Sequence, residues 1–404
     1  MKKIFYFFCL LTLLWSCNDD KPKFLPKPDG TLDLGQLGAA AVEDVSALSD
    51  DNLKTYFFKD VDEKNEVTVE MGSNSDQVVA YTLVSSGLVE QKDNQIWFPN
   101  DPVAWTVYGS NDQRSWTKVD TRESMRFFAR FQKHIYYLAS AQRYQFYKFV
   151  FKTEGEALAL SDILFHSQDP YEAWHQFKSP SINFIDLADD KGSRLYDLLV
   201  QDKTAYLQWH AREICTMLYF NDQEERMPVQ TIDYFLEEMK GKVSHKAGAA
   251  PKVSIHYSTD WIQKSAGVSF LRLSEETRGV LFHEMVHAFQ MEPKGIDPYQ
   301  QGNLSWSAIE GLADAVRTQA GYHDYSQRNV NGSLMSGYKI TGMFCYWLTQ
   351  AKDKDAIRNI NKSMRTEIPW SWDKALKFAL GKDASEKKLW EEYRNDKTNY
   401  QERK

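Results

Sequence analysis

The chain has 404 residues, with 49 Lys plus Arg against 56 Asp plus Glu and a formal net charge of −7. That length exceeds what one core organises, so about two domains are expected, and 42% apolar with 14% aromatic content supplies their cores and excludes a disordered chain. The acidic balance, with no dense Lys/Arg block, argues against a nucleic-acid partner.

Lys2 and Lys3 precede an apolar run at 4–15 that is too short to span a bilayer, so residues 1–16 read as a targeting segment removed from the mature protein. Leu14-Trp15-Ser16-Cys17 resembles a bacterial lipobox, which implies a lipid anchor on Cys17. Asn18-Asp19-Asp20-Lys21 is similar to the acidic stretch of surface-exposed lipoproteins of Gram-negative bacteria, implying an outer-membrane, cell-surface location. Residues 17–32 carry Pro22, Pro26 and Pro28 and read as a tether. Cys9 leaves with the targeting segment and Cys17 takes lipid, so Cys215 and Cys345, each in an apolar helix-like stretch, are expected as buried thiols.

From 33 to 167, short stretches of high β-propensity at 67–71, 78–83, 104–108 and 147–151 alternate with turn signals such as Ser110-Asn111-Asp112. That is the pattern of an antiparallel sandwich. The run Asp101-Pro102-Val103-Ala104-Trp105-Thr106-Val107-Tyr108-Gly109-Ser110-Asn111-Asp112, with Trp116, Val119-Asp120-Thr121-Arg122 and the strand at 144–151, resembles the discoidin or coagulation-factor type C domains. The resemblance implies a galactose-binding-like jelly roll that takes a ligand, with a glycan as the candidate, on loops at one end. Asp51, Thr55 and Asp162 stand near where that family often binds a structural calcium ion; a solvated turn explains the same residues equally well.

Residues 168–181, with Asp169-Pro170 and Ser179-Pro180, form a linker. A second domain at 182–404 opens with a strand at 182–185, continues with one long helix at about 193–220 and strands at 229–236 and 253–257, and turns helical after Ser274. The expectation is an α+β domain. At its centre lies His283-Glu284-Met285-Val286-His287. On a helix, positions i and i+4 share a face, so both imidazoles reach one metal while Glu284 stands beside it. Ser274 is the expected N-cap and Pro293 marks the exit.

A catalytic zinc needs three protein ligands and one open position. The metzincin pattern is excluded, because the place of its third His is Pro293. Glu310 and Asp314, again at i and i+4, offer a ligand and a carboxylate to orient His283, unless they line a solvated face. The segments at 279–290, 309–317, 337–341 and 389–395 resemble, in order, the basic secretory protein family of secreted plant and bacterial peptidases. The resemblance implies a zincin-like fold, and a strand at 268–272 along which an extended peptide substrate could add. Tyr338 and His323 are the candidate oxyanion donors downstream of the ligands, while His210, His245 and His256 read as structural.

The mechanism expected is hydrolysis of a peptide bond by zinc-activated water, with Glu284 as general base and Glu310 completing the metal set. The absence of a Gly-x-Met-Glu-Asn aminopeptidase motif favours an endopeptidase acting on peptide or protein. The rival reading is a surface glycan-binding lipoprotein whose zincin-like domain is inactive or structural; a zinc-dependent amidase is a third.

Overall fold

The computed structural model describes residues 40–42, 44–50, 53, 55–72, 77–92 and 95–401. The targeting segment, Cys17, the tether and Asp51 lie outside the described residues. The first eleven strands are β1 (Ala40–Val42), β2 (Thr55–Asp60), β3 (Glu66–Gly72), β4 (Val78–Ser85), β5 (Glu90–Lys92), β6 (Gln95–Trp97), β7 (Pro102–Ser110), β8 (Thr117–Arg122), β9 (Lys133–Gln142), β10 (Phe146–Thr153) and β11 (Ala157–His166). They form a sandwich of a five-stranded sheet in the order β1-β2-β11-β4-β9 and a four-stranded sheet in the order β3-β10-β7-β8, with β5 and β6 as a separate hairpin. All pairings are antiparallel except β1 with β2.

Strand β10 shows why these residues choose sheet. Tyr147, Phe149 and Phe151 alternate with outward residues and all three are buried, the period of two that a half-buried strand requires. Each fully buried Phe contributes on the order of 2–3 kcal/mol. One chain of polar groups in this core is fully paired: Trp105 Nε1 donates to Tyr81 Oη at 2.7 Å, and that hydroxyl donates to Asp120 at 2.7 Å. For the calcium expectation, Asp162 is fully buried on β11 and the Thr55 hydroxyl donates to Asp50 at 2.7 Å. Among the described residues no acidic cluster with metal-ligand spacing forms there.

The second half holds β12 (Ser181–Asp186), α1 (Lys191–Leu199), α2 (Lys203–Leu218), β13 (Thr231–Glu237), β14 (Ser244–Ala249), β15 (Lys252–Ser258), α3 (Thr259–Ala266), α4 (Phe270–Phe289), α5 (Leu304–Gln319), α6 (Tyr338–Ala351), α7 (Ala356–Thr366), α8 (Trp372–Leu380) and α9 (Glu386–Asn395). Its sheet runs β12-β13-β15-β14. The first three strands are parallel, and β14 closes the edge antiparallel to β15. Cys215 and Cys345 are buried free thiols.

Three local expectations need correction. The single helix at 193–220 is two helices, because Val200 leaves helical geometry (φ −124°, ψ 105°) to bridge Ala129 of the sandwich, and Asp202 caps a fresh start at Ala205 N. The metal helix begins earlier than Ser274: Ser269 is the N-cap, accepting from Arg272 N at 2.9 Å, a contact that stabilises a helix by about 1 kcal/mol. Residues 270–272 are therefore the first turn of α4, not a strand. Phe270, Leu273, Thr277 and Val280 are all buried, the spacing of one helical face. The edge strands of this sheet are β12 and β14 instead.

The sandwich and the second domain share packing. Ala129 and Phe131 belong to the same apolar cluster as the helices, with the Phe131 ring centroid 5.9 Å from that of Phe270. Helices α5 and α6 touch backbone to backbone: a Cβ on Gly311 would lie 2.4 Å from Thr341 Cγ2, and one on Gly342 would lie 2.7 Å from the Asp314 carbonyl carbon. Gly342→Ala must push α5 aside and displace Glu310 and Asp314 with it. We expect a lowered melting temperature together with weakened metal binding; unchanged values of both would show that the helices can separate without cost.

Candidate metal centre

His283 and His287 project from one face of α4, one turn apart, and α5 brings Glu310 against them. His283 Nε2 lies 3.2 Å from His287 Nε2 and 3.2 Å from Glu310 Oε2, and His287 Nε2 lies 3.5 Å from Glu310 Oε2. Tetrahedral bonds of about 2.0–2.1 Å around one ion place neighbouring ligand atoms about 3.3–3.4 Å apart. The triangle therefore fits a single zinc-sized ion with a two-nitrogen, one-oxygen set. Among the described residues these three are the only such group of His, Cys, Asp or Glu.

The outward ring nitrogens are held as well. Asp314 Oδ1 lies 2.8 Å from His283 Nδ1, which keeps the proton on that nitrogen and leaves Nε2 free to ligate. His287 Nδ1 lies 3.0 Å from the Gln290 amide, whose oxygen is otherwise without a partner. Turning that amide, whose two ends are interchangeable in assignment, would let its oxygen accept the Nδ1 proton. Glu284 is buried on the same helix and accepts from the Ser244 hydroxyl of β14 at 2.7 Å.

Residues 180–393, more than half of the chain, match the basic secretory protein family, described as a peptidase of plants and bacteria. The chain belongs to this family. No curated protein matches it. Similar solved structures include the family 32 carbohydrate-binding module from Streptococcus pneumoniae EndoD (9% identity, 31% of this chain and 86% of that one, TM-score 0.25). Two others are CBM32-3 from a family 31 glycoside hydrolase of Clostridium perfringens (10%, 32% and 86%, TM-score 0.25) and the C-terminal domain of a chitobiase from Bacteroides fragilis (14%, 30% and 79%, TM-score 0.23).

In this member of the peptidase family, two tyrosines guard the mouth. Tyr338, about half exposed, stacks over His283 with ring centroids 5.8 Å apart. It is thrown there by consecutive left-handed residues, Gly337 at φ 62° and Tyr338 itself at φ 41°, a conformation that costs a bulky residue energy and often marks a functional position. Tyr299 was not anticipated: its hydroxyl donates to Glu310 Oε1 at 2.5 Å, leaving Oε2 to face the histidines. His323 is buried behind the site, 3.2 Å from Asp314, and so braces that carboxylate instead of meeting substrate. His210 is buried in the core with Nδ1 at the Tyr206 carbonyl. His256 pairs with Glu237, and His245 stacks on it.

Burial disfavours a charged His283, but hydrogen bonds to Asp314 and Glu310 outweigh it and hold the imidazolium up to about 10 from an ordinary 6.5. Burial likewise opposes ionised Glu310 and Asp314, yet the histidines keep both well below the usual carboxylate range. Burial and then the neighbouring carboxylates push the Tyr338 phenol up to about 12, so it remains a donor at neutral pH.

With metal stripped by a chelator, the two kinds of group act in opposite senses. The raised His283 contributes stability that is complete below its unfolded value and lost as pH rises towards about 10. The depressed carboxylates contribute stability present above about pH 4 and lost as pH falls below it. Chelated protein should be most stable at about pH 5–6.5 and weaken on both sides. Stability that climbs steadily to pH 10 would contradict this charge arrangement.

Proposed function

We propose that the chain is a cell-surface, zinc-dependent endopeptidase whose β-sandwich takes a glycan. The convergence of His283, His287 and Glu310 beside the buried Glu284 carries the reading. These three residues would hold the zinc ion, which when bound supplies Lewis acidity and lowers the pKa of water to about 7. Glu284 takes the proton from the attacking water and hands it to the leaving amine. Asp314 fixes the tautomer and aim of His283, and Gln290 does the same for His287.

The Tyr338 hydroxyl offers a donor to charge developing on the substrate carbonyl oxygen. Strand β14 pairs on one side only, so its free edge can add an extended peptide as a further strand. The Ser244 contact to Glu284 ties that edge to the general base. The topology of a mixed sheet with an antiparallel edge strand beside the metal helix supports a zincin-like assignment for residues 182–404, and an open edge suits internal cleavage of a chain.

Metal content measured beside hydrolysis of a quenched peptide library separates the roles. Glu284→Gln should retain zinc and lose activity by about a hundredfold or more. Glu310→Ala should lose zinc itself. Tyr338→Phe should keep zinc and lower kcat by about ten- to a hundredfold. Full zinc and undiminished activity in Glu310→Ala would send the search for the third ligand elsewhere. A zinc-loaded wild type that cleaves nothing in the library would favour the inactive, glycan-binding alternative.

Anchoring through Cys17 on the outer membrane follows from the lipobox-like tetrapeptide and the tether behind it, and the glycan ligand from the discoidin-like pattern of 101–122. Cys17→Ala should release the protein from the membrane fraction, and the released protein should mark carbohydrate spots on a glycan array. Retention after high-salt washing would defeat the anchor, and a blank array would leave the sandwich as a spacer.

A further inference from the structure

A cleft of about 650 Å³ lies between the outer face of the five-stranded sheet and the helices α2 and α4 of the peptidase domain. It is remote in chemistry from the metal centre: none of the three metal-site residues nor Glu284 lines it. Two of its lining side chains are anomalous for a buried interface.

The first is Arg278, on α4 five residues before His283. It is 7% exposed. Its guanidinium donates to the carbonyls of Arg130 (3.1 Å) and Phe131 and to the Tyr322 hydroxyl at 3.4 Å, while Nε has no partner. None of these partners is a carboxylate. A guanidinium does not deprotonate in proteins, so a full positive charge is buried against neutral oxygens alone. Buried charges are ordinarily paired, because neutral acceptors do not replace the lost hydration.

The second is Gln132, 2% exposed, whose amide oxygen and nitrogen both lack any partner. Its own backbone groups are taken by Ser85, through Gln132 N to Ser85 Oγ at 3.0 Å and Ser85 N to Gln132 O at 3.1 Å. Gln132 lines the cleft, and its side chain brings an unused donor and acceptor to that wall. A buried pair of this kind is rare and asks for an occupant. Across the cleft, Arg212 lies over the Tyr171 ring at 3.9 Å, and the acid nearest to it, Glu213, already accepts from the Tyr171 hydroxyl. Glu213, 3.8 Å from Arg212, offsets one charge, and Arg278 with Lys133 leaves the lining net positive. Trp209 and Tyr137 add aromatic surface.

We propose that this interdomain cleft binds a small hydroxylated organic acid of sugar size. Its carboxylate pairs with Arg278, a hydroxyl meets the Gln132 amide as both acceptor and donor, and its C–H face lies against the aromatic wall. A carboxylate supplies the missing counter-charge and can accept from the Nε–H that the protein leaves unused. A hydroxyl gives and takes a hydrogen bond from a single atom, so it can meet both ends of that amide. Because residues of both domains line the cleft, the ligand joins them, and it does so on the helix that also carries His283 and His287.

The purified chain, titrated by calorimetry with glucuronate, glucose and inorganic sulfate, tests the assignment. Glucuronate should bind and raise the melting temperature; glucose and sulfate, each carrying half of the chemistry, should bind at least about tenfold more weakly. Gln132→Leu keeps the volume and removes the unpaired amide, so it should fold as well as the wild type and lose glucuronate affinity by about tenfold or more. Arg278→Met should abolish binding; should it fail to fold, Gln132→Leu and Arg212→Met still read the site. Absence of glucuronate binding at about 10 mM, sulfate binding alone, or affinity unchanged in Gln132→Leu would each overturn the proposal.

Discussion

The 2.8 Å contact between His283 Nδ1 and Asp314 Oδ1 joins the two helices on which the site is built. Asp314 stands one turn beyond Glu310 on α5, so the bond that orients the His283 ring also fixes the helix that carries Glu310. That geometry is possible only because α5 sits close to α6, with Gly342 pressed to the backbone of Asp314. Charge then follows from shape. Three acidic groups, Glu284, Glu310 and Asp314, are buried within reach of two imidazoles, and a cation is the natural partner of such a set.

Around this frame, polar contacts run outward in pairs. Tyr299 takes the outer oxygen of Glu310, Ser244 takes Glu284, and His323 shares Asp314. Each keeps a carboxylate from rotating away from its task. Ser244 has the further effect of coupling the sheet edge to Glu284, so that under the proposed function a strand added at β14 would arrive beside the base.

Much of this was legible beforehand. Spacing of four placed His283 with His287 and Glu310 with Asp314 on common helical faces, and the alternation of Tyr147, Phe149 and Phe151 marked a sandwich strand. Ser244 and Tyr299 left no such trace. The strand Ser244–Ala249 contains no β-branched residue and takes its register from β15, while Tyr299 lies on a loop with no period at all. Gln290 could have been read, since it follows His287 by one helical turn. The helix start was placed at Ser274, a fair N-cap, because the resemblance assigned 268–272 to a strand, and Phe270 with Leu271 suits a strand as well as a helix until Ser269 is seen capping it. The break at Val200 was invisible for another reason: it is made by Ala129, some seventy residues earlier in the chain.

Helix α4 carries both the grip on the sandwich, through Arg278, and the pair His283 and His287, within ten residues. The two halves of the molecule are therefore not beads on a string. Grafting this sandwich onto another catalytic body, or replacing it with a different binding module, would strip Phe131 and the carbonyls of 130 and 131 from the flank of the metal helix. Module exchange in this lineage would have to carry the docking seam along with the module, and an engineer who cuts at the linker would inherit an open wound in the enzyme's core.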